Sequence, residues 1–296
     1  MATLALKVDV DTWRGTRDGV PKLAELLERL QVPATFLFSV GPDHTGRALR
    51  RVFRRGFLGK VRRTSVVSNY GLTTLLYGTL LPGPRIGERC RDEMRMVRQR
   101  GFEVGVHTHD HVKWQDKVSS ASIGWTRREL ELARDEFQRI FGVAPRVHGA
   151  AGWQLNAHVP GLEAALGFEY ASDTRGYSPF RPASGGVPQL PTTLPTLDEL
   201  IGRDDLTSDD PVETLLGMTL NAPRHGHVFT LHAEIEGGAY APHFARLLLG
   251  WRAQGYEFAT LGEVYESLDY GSLPTCEIVP GTVSGRSGQL ALQAQN

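Results

Sequence analysis

The sequence is poor in cysteine, in net charge and in long apolar runs. Its 296 residues include two cysteines, Cys90 and Cys276. They stand far apart with no CxxC or Cys/His spacing around them, which argues against a disulfide framework or a structural zinc finger, so both thiols are expected to be reduced. Lys plus Arg and Asp plus Glu number 33 each, and this balance removes the bulk electrostatic case for a nucleic-acid binder. No clean apolar stretch reaches the roughly 18 residues that a bilayer-crossing helix needs. The opening MATLALKVDV lacks a basic region ahead of an apolar core, so no secretory leader is expected and the protein should stay in the cytoplasm. A more local absence is also informative: between His44 and Gly87 there is not one acidic residue.

What is present is an alternation of two periods. LALKVDV (4–10), PATFLFS (33–39) and FEVGV (102–106) read as short strands, with further candidates near 146–150, 168–172, 187–194, 227–231 and 256–260. Between them run helical patterns. Val20, Leu23, Leu26, Leu27 and Leu30 make one apolar stripe, Glu88 to Arg100 makes another closed by Gly101, and Thr126 with Glu129 gives a capping signature for a helix ended by Gly142. Other helices are expected near 158–166, 211–221 and 241–254. Strands alternating with helices imply an α/β fold with a parallel sheet, and this many units favours a β/α barrel over an open doubly wound sheet. The length fits a single domain over 1–275, interrupted by an insertion at 44–87. The Gly/Ser/Gln-rich 276–296 reads as a loose C-terminal tail.

Acid/base and metal-capable side chains fall at the ends of these strands: Asp9 and Asp11 at the first, His107 at the third, Asp173 at the fifth and His232 at the seventh. In β/α barrels such ends converge on one face, where the chemistry sits. His107-Thr-His-Asp-His111 spaces two imidazoles four apart, which on a helical turn would bring both to one cation. Asp11 would be a third ligand and leave a position for water, whose pKa a divalent cation lowers toward about 7. Asp9 and Asp11 share a strand face, so Asp9 is a candidate to take the proton from the attacking water. His232, in VFTLHAE, is a candidate to protonate the leaving amine. Imidazole and carboxylate donors admit zinc, manganese or cobalt. Trp153 is a candidate pocket wall, Asp173 a candidate sugar or ligand-shell contact, and Glu234 and Glu236 candidate contacts to a liberated amine. A core tryptophan, a turn aspartate and a solvated acidic loop are the ordinary readings of the same residues.

Together these motifs resemble the polysaccharide deacetylases: Asp9-Val-Asp11 their carboxylate motif, His107-Thr-His-Asp-His111 their His-x3-His motif and Leu231-His232 their C-terminal Leu-His motif. The resemblance implies a distorted (β/α) barrel, one divalent metal ion on Asp11, His107 and His111, Asp9 as base and His232 as acid. More narrowly, DVDTWRGTRDGVP, FSVGPD, HTHDH, GAAGWQ, PTTLPTLDELIGRD and HAEIEG are similar to the 4-deoxy-4-formamido-L-arabinose-phosphoundecaprenol deformylases. That likeness implies hydrolysis of a formamide on an undecaprenyl-phosphate-linked amino sugar, a step toward lipid A modification and cationic peptide resistance. An N-deacetylase of another glycan, or a silent lipid- or sugar-binding barrel, are the other readings. In one place the chain departs from the broader family: APRVHGAAGW stands where an Arg-x-Pro arginine usually orients the base, and His148 occupies the approximate position. What orients Asp9 is left open, with Arg14 a candidate by nearness in sequence.

The acid-free insertion has its own chemistry. Arg50, Arg51, Arg54, Arg55, Arg62 and Arg63 crowd its first half beside Phe57, and its second half is apolar and aromatic but too broken to span a bilayer. Basic residues beside an apolar face suit an anionic membrane surface, at roughly 1 kcal/mol per Lys or Arg. The expected location is therefore peripheral, on the inner face of the bacterial inner membrane. A solvated insertion with a core-packing half is the competing reading.

Overall fold

The computed structural model describes residues 2–48, 76–203, 205, 206, 208–286 and 288–295. Arg50, Arg51, Arg54, Arg55, Phe57, Arg62 and Arg63 lie outside the described residues.

In chain order the strands are β1 (Ala2–Val10), β2 (Thr35–Ser39), β3 (Glu103–Thr108), β4 (Val147–His148), β5 (Tyr170–Ala171), β6 (Arg181–Pro182), β7 (His227–His232), β8 (Tyr256–Ala259), β9 (Thr275–Cys276), β10 (Ile278–Gly281) and β11 (Leu290–Gln293). Seven of them form one sheet in the order β5-β4-β3-β2-β1-β7, with β8 on the start of β1. Every pairing in that sheet is parallel. The path ends at β5 and β7 without those two pairing, so the barrel is incomplete, as the distorted-barrel expectation requires.

The sequence dictates which face of β1 does what. Side chains alternate across a strand. Leu4, Leu6, Val8 and Val10 pack in the larger apolar cluster with Val20, Leu23 and Leu27 of the helix Val20–Arg29. Ala5 joins the smaller cluster of Leu37, Val147, Tyr170, Leu190 and Leu261 on the other side. Lys7 and Asp9 continue that inner face and are both buried. Helices Arg91–Gln99, Ile123–Phe141 and Ala241–Ala253 cover the outside.

Three local expectations change. The helix Ile123–Phe141 is capped by Ser122, whose hydroxyl accepts from Trp125 N, and Thr126 sits inside it with its own hydroxyl bonded back to the Ser122 carbonyl. Residues 187–194 make isolated bridges rather than a strand. Pro188, Pro191 and Pro195 remove ladder donors there. The C-terminal segment is ordered: β10 and β11 form an antiparallel hairpin, Arg175 N donates to Ala291 O, and Gln293 N donates to Arg175 O. Gln293 Oε1 also accepts from Tyr177 N and Ser178 N, which ties the tail to the barrel. Cys90 and Cys276 are free and buried, as expected.

Candidate active site

Parallel pairing sets the centre of the site. Asp9 and His232 are register partners on β1 and β7, so their side chains leave the sheet on the same face of neighbouring strands. Asp11 follows β1 by one residue, and β3 delivers His107 from the other side.

His107 and His111 come from different elements, not from one helical turn. His107 is the penultimate residue of β3, and His111 is the first residue of the helix His111–Lys117. Asp110 makes this turn possible by accepting from Lys113 N at 3.1 Å as the helix N-cap, while its other oxygen meets His44 Nδ1 at 2.6 Å. The two imidazoles end with centroids 5.3 Å apart and planes at 30°.

Asp11 bridges them. Its Oδ1 lies 3.2 Å from His107 Nε2 and its Oδ2 3.3 Å from His111 Nε2. One donor atom from each of the three residues falls within 4.8 Å of the other two. Asp11 Oδ1 is buried without a hydrogen-bond partner among the described residues, which suits a ligand atom for a cation. Burial pushes the Asp11 carboxyl up, but His111, His107 and His232 more than reverse this and hold it below the carboxylate range. Burial keeps the His111 imidazole below its ordinary value against the pull of Asp11, which favours the neutral, ligating form. The donor set fits a divalent cation.

Around this centre, His232 Nδ1 stands 3.6 Å from Asp198 Oδ1, and its backbone N donates to Glu236 Oε2 at 2.8 Å. Burial pulls the His232 pKa down, but the carboxylates of Asp198, Asp11, Glu236 and Asp9 raise it to about 9. Asp198 lies in the turn Leu197–Leu200, where its Oδ1 accepts from Thr196 Oγ1 at 2.6 Å, and it is absent from the candidates the sequence offers. The acidic PTLDEL stretch was its signal, but nothing local ties it to His232.

Glu234 clamps the turn after β1: its Oε1 accepts from Thr12 Oγ1 at 2.7 Å, Thr12 N at 2.8 Å and Asp11 N at 3.1 Å. A Cβ on Gly15 would stand 1.9 Å from that oxygen, so the approach requires glycine. Glu234 also borders a small surface cleft of about 80 Å³ with Arg14, Asp18 and Lys22. Glu236 is fully buried beneath His232.

Trp153 and Asp173 lie deeper. Trp153 is buried, donates Nε1 to Thr192 Oγ1 at 3.1 Å, and has the guanidinium groups of Arg286 and Arg175 at 4.4 and 4.9 Å from its ring. Asp173 is fully buried: it accepts from Ala150 N at 2.7 Å and Gln189 Nε2 at 3.0 Å, and lies 3.2 Å from His148 Nδ1. His148 Nδ1 also meets Glu163 Oε1 at 2.5 Å, closing a buried triad. Burial lowers the His148 pKa, but Asp173 and Glu163 raise it to about 10.

Among the described residues Arg14 pairs with Asp18. Its Nε lies 3.8 Å from Asp18 Oδ2, on a half-exposed side chain. The cation beside Asp9 is Lys7, whose Nζ is 3.5 Å from Asp9 Oδ2.

The polysaccharide deacetylase family profile matches residues 3–171, more than half of the chain. A probable 4-deoxy-4-formamido-L-arabinose-phosphoundecaprenol deformylase of Shewanella sediminis is 36% identical over 98% of this chain and 94% of its own. A probable deformylase of the same name from Wigglesworthia glossinidia brevipalpis is 32% identical over 94% of this chain and 98% of its own. Among solved structures, a polysaccharide deacetylase candidate from Mycobacterium smegmatis superposes with a TM-score of 0.62 at 18% identity, covering 95% of this chain and 96% of that one. A family 4 acetyl xylan esterase from Clostridium thermocellum, solved with a cobalt ion, gives 0.53 at 14% identity over 89% and 90% of the two chains. These two likenesses concern the fold.

Proposed function

The chain belongs to the polysaccharide deacetylase family, and from that membership we propose that it hydrolyses the formamide of 4-deoxy-4-formamido-L-arabinose carried on undecaprenyl phosphate, releasing formate and the 4-amino sugar lipid. The observation that carries this reading is the convergence of Asp11, His107 and His111 beside the register pair Asp9 and His232. The substrate comes from the two full-length relatives and their printed activity.

Asp11, His107 and His111 would hold one divalent ion, with zinc, manganese and cobalt all compatible with the donors. When bound, such an ion polarises the formyl carbonyl and makes water nucleophilic near neutral pH. Asp9 accepts the proton of the water that adds to the formyl carbon. His232, held protonated by its surrounding carboxylates, passes a proton to the amide nitrogen as the C–N bond breaks. Formate leaves with the added oxygen, and the nitrogen leaves as the sugar amine. Glu234 fixes the turn that presents Asp11 by accepting from its backbone N. Trp153 and Asp173, closed off from solvent, support the site from behind instead of touching the sugar.

A polyprenyl substrate lies in a membrane, and no described helix is long and apolar enough to cross one. The basic and apolar 44–87 segment would bring the barrel to the anionic lipid surface, an inference from its composition. Incubating metal-loaded protein with the formamido-arabinose lipid tests the activity. Metal-dependent formate release is expected; hydrolysis of an N-acetyl glycan instead would keep the site and overturn the substrate.

A further inference from the structure

A lysine in the middle of a buried strand is costly, since moving an ammonium out of water carries a penalty of several kcal/mol unless it is well paired. Lys7 is such a residue: it is fully buried, in a strand whose other inner-face neighbours are Ala5 and Asp9. Its Nζ donates to the Ser172 carbonyl at 2.8 Å and lies 3.5 Å from Asp9 Oδ2 and 5.4 Å from the centre of the Trp153 ring. The space it fills is kept open by Gly149, where a Cβ would come within 3.4 Å of Nζ and 2.4 Å of Leu37 Cδ1. The barrel therefore builds a socket for one ammonium group directly behind one carboxylate.

The two oxygens of Asp9 have different surroundings. Oδ2 faces Lys7, whereas Oδ1 is buried without a hydrogen-bond partner among the described residues and stands 3.8 Å from His107 Nδ1. A carboxylate on a short side chain rotates unless one oxygen is held. The Ser172 carbonyl anchors the ammonium, so Lys7 can hold Oδ2 and leave Oδ1, the oxygen nearer His107, for the chemistry. His148, at the approximate position of the arginine that resembling proteins use here, is turned to Glu163 and Asp173 instead.

We propose that Lys7 is the positioning residue for Asp9, replacing from within β1 the arginine that a later loop would supply. The proposal rests on the reading of Asp9 as the base. It concerns orientation of that carboxylate and not contact with substrate.

The test is a double-mutant cycle with Lys7→Met, which keeps length and removes charge, and Asp9→Asn, read by kcat, KM, bound metal and melting temperature. In the native background Lys7→Met is expected to lower kcat about 100-fold, the scale of loss from a misplaced group. KM and metal content should stay close to those of the native protein. In the Asp9→Asn background the same substitution should change the residual rate less than about threefold, because there is no carboxylate left to orient. Melting should show the same coupling, with the double variant more stable than Lys7→Met alone. An equal loss of rate in both backgrounds, or native kcat in Lys7→Met, would overturn the proposal. If Lys7→Met does not fold, solubility decides: recovery in the double variant supports the pairing, and failure of both variants overturns it. Native activity in Asp9→Asn would remove the base reading, and with it the proposal, even where stability coupling between the two residues persists.

Discussion

Asp198 Oδ1 lies 3.6 Å from His232 Nδ1, and Asp9 is the register partner of His232 on the neighbouring strand, so carboxylates from two distant segments accompany the proposed acid. Asp198 is the largest of the charges that lift His232 to about 9 against the opposing effect of burial.

Replacing Asp198 with Asn removes that support and lowers the His232 pKa. An acid must be protonated to act, so the alkaline limb of the kcat profile should move to lower pH, and kcat at neutral pH should fall about 10- to 100-fold. A pH–rate profile of the variant checks this. An unmoved alkaline limb would separate Asp198 from the function of His232.

The His148–Glu163–Asp173 triad should act on stability. His148 titrates at about 10 in the fold against an ordinary 6.5. The folded state therefore holds a proton that the unfolded chain releases, so the contribution is complete below about 6.5 and is lost as pH rises toward 10. Denaturant unfolding between pH 6.5 and 10 should show the native protein losing stability, and His148→Gln should flatten that slope. Leaving the carboxylates unpaired should cost about 3–5 kcal/mol near neutral pH.

Much of this was legible in advance, and the failures have physical causes. Apolar runs and helical stripes placed β1, β2, β3, β7 and β8, because each element buries a face long enough to leave a period. The metal-capable residues were legible because they cluster at strand ends. Lys7 was overlooked although the signal was present: in LALKVDV, the period of two puts Lys7 on the face of Asp9. Asp198 and Glu163 acquire meaning only through contacts with residues far along the chain, which no local pattern records, and the strand-end position of Asp173 does not reveal its partners His148 and Glu163. Gly, Ser and Gln suggest looseness in the tail and carry no signal for the short hairpin and the Gln293 side chain that tie its described residues to the barrel.

That anchoring predicts a cost for truncation. Deleting 285–296 removes Arg286, which stacks on Trp153 and reaches Glu199 at 3.4 Å, together with the bonds made by Ala291 and Gln293. At about 1 kcal/mol per net hydrogen bond, the loss should be a few kcal/mol. Thermal melting of the shortened protein measures it, and native melting would contradict the structural role assigned to the tail.

The basic insertion predicts salt-sensitive membrane binding. Replacing Arg50, Arg51, Arg54, Arg55, Arg62 and Arg63 with Ser should weaken association with anionic liposomes, most at low ionic strength where charges are least screened. Co-sedimentation at two salt concentrations reads this out. Unchanged binding would remove the interfacial assignment without touching the site.

The division of labour at the centre is tested most directly by measuring bound metal and formate release side by side in the native protein, Asp9→Asn and His107→Ala. Asp9→Asn should keep near-native metal and lose turnover, while His107→Ala should lose both. Equal metal loss in the two variants would contradict the assignment of Asp9 to proton transfer and of Asp11, His107 and His111 to the metal.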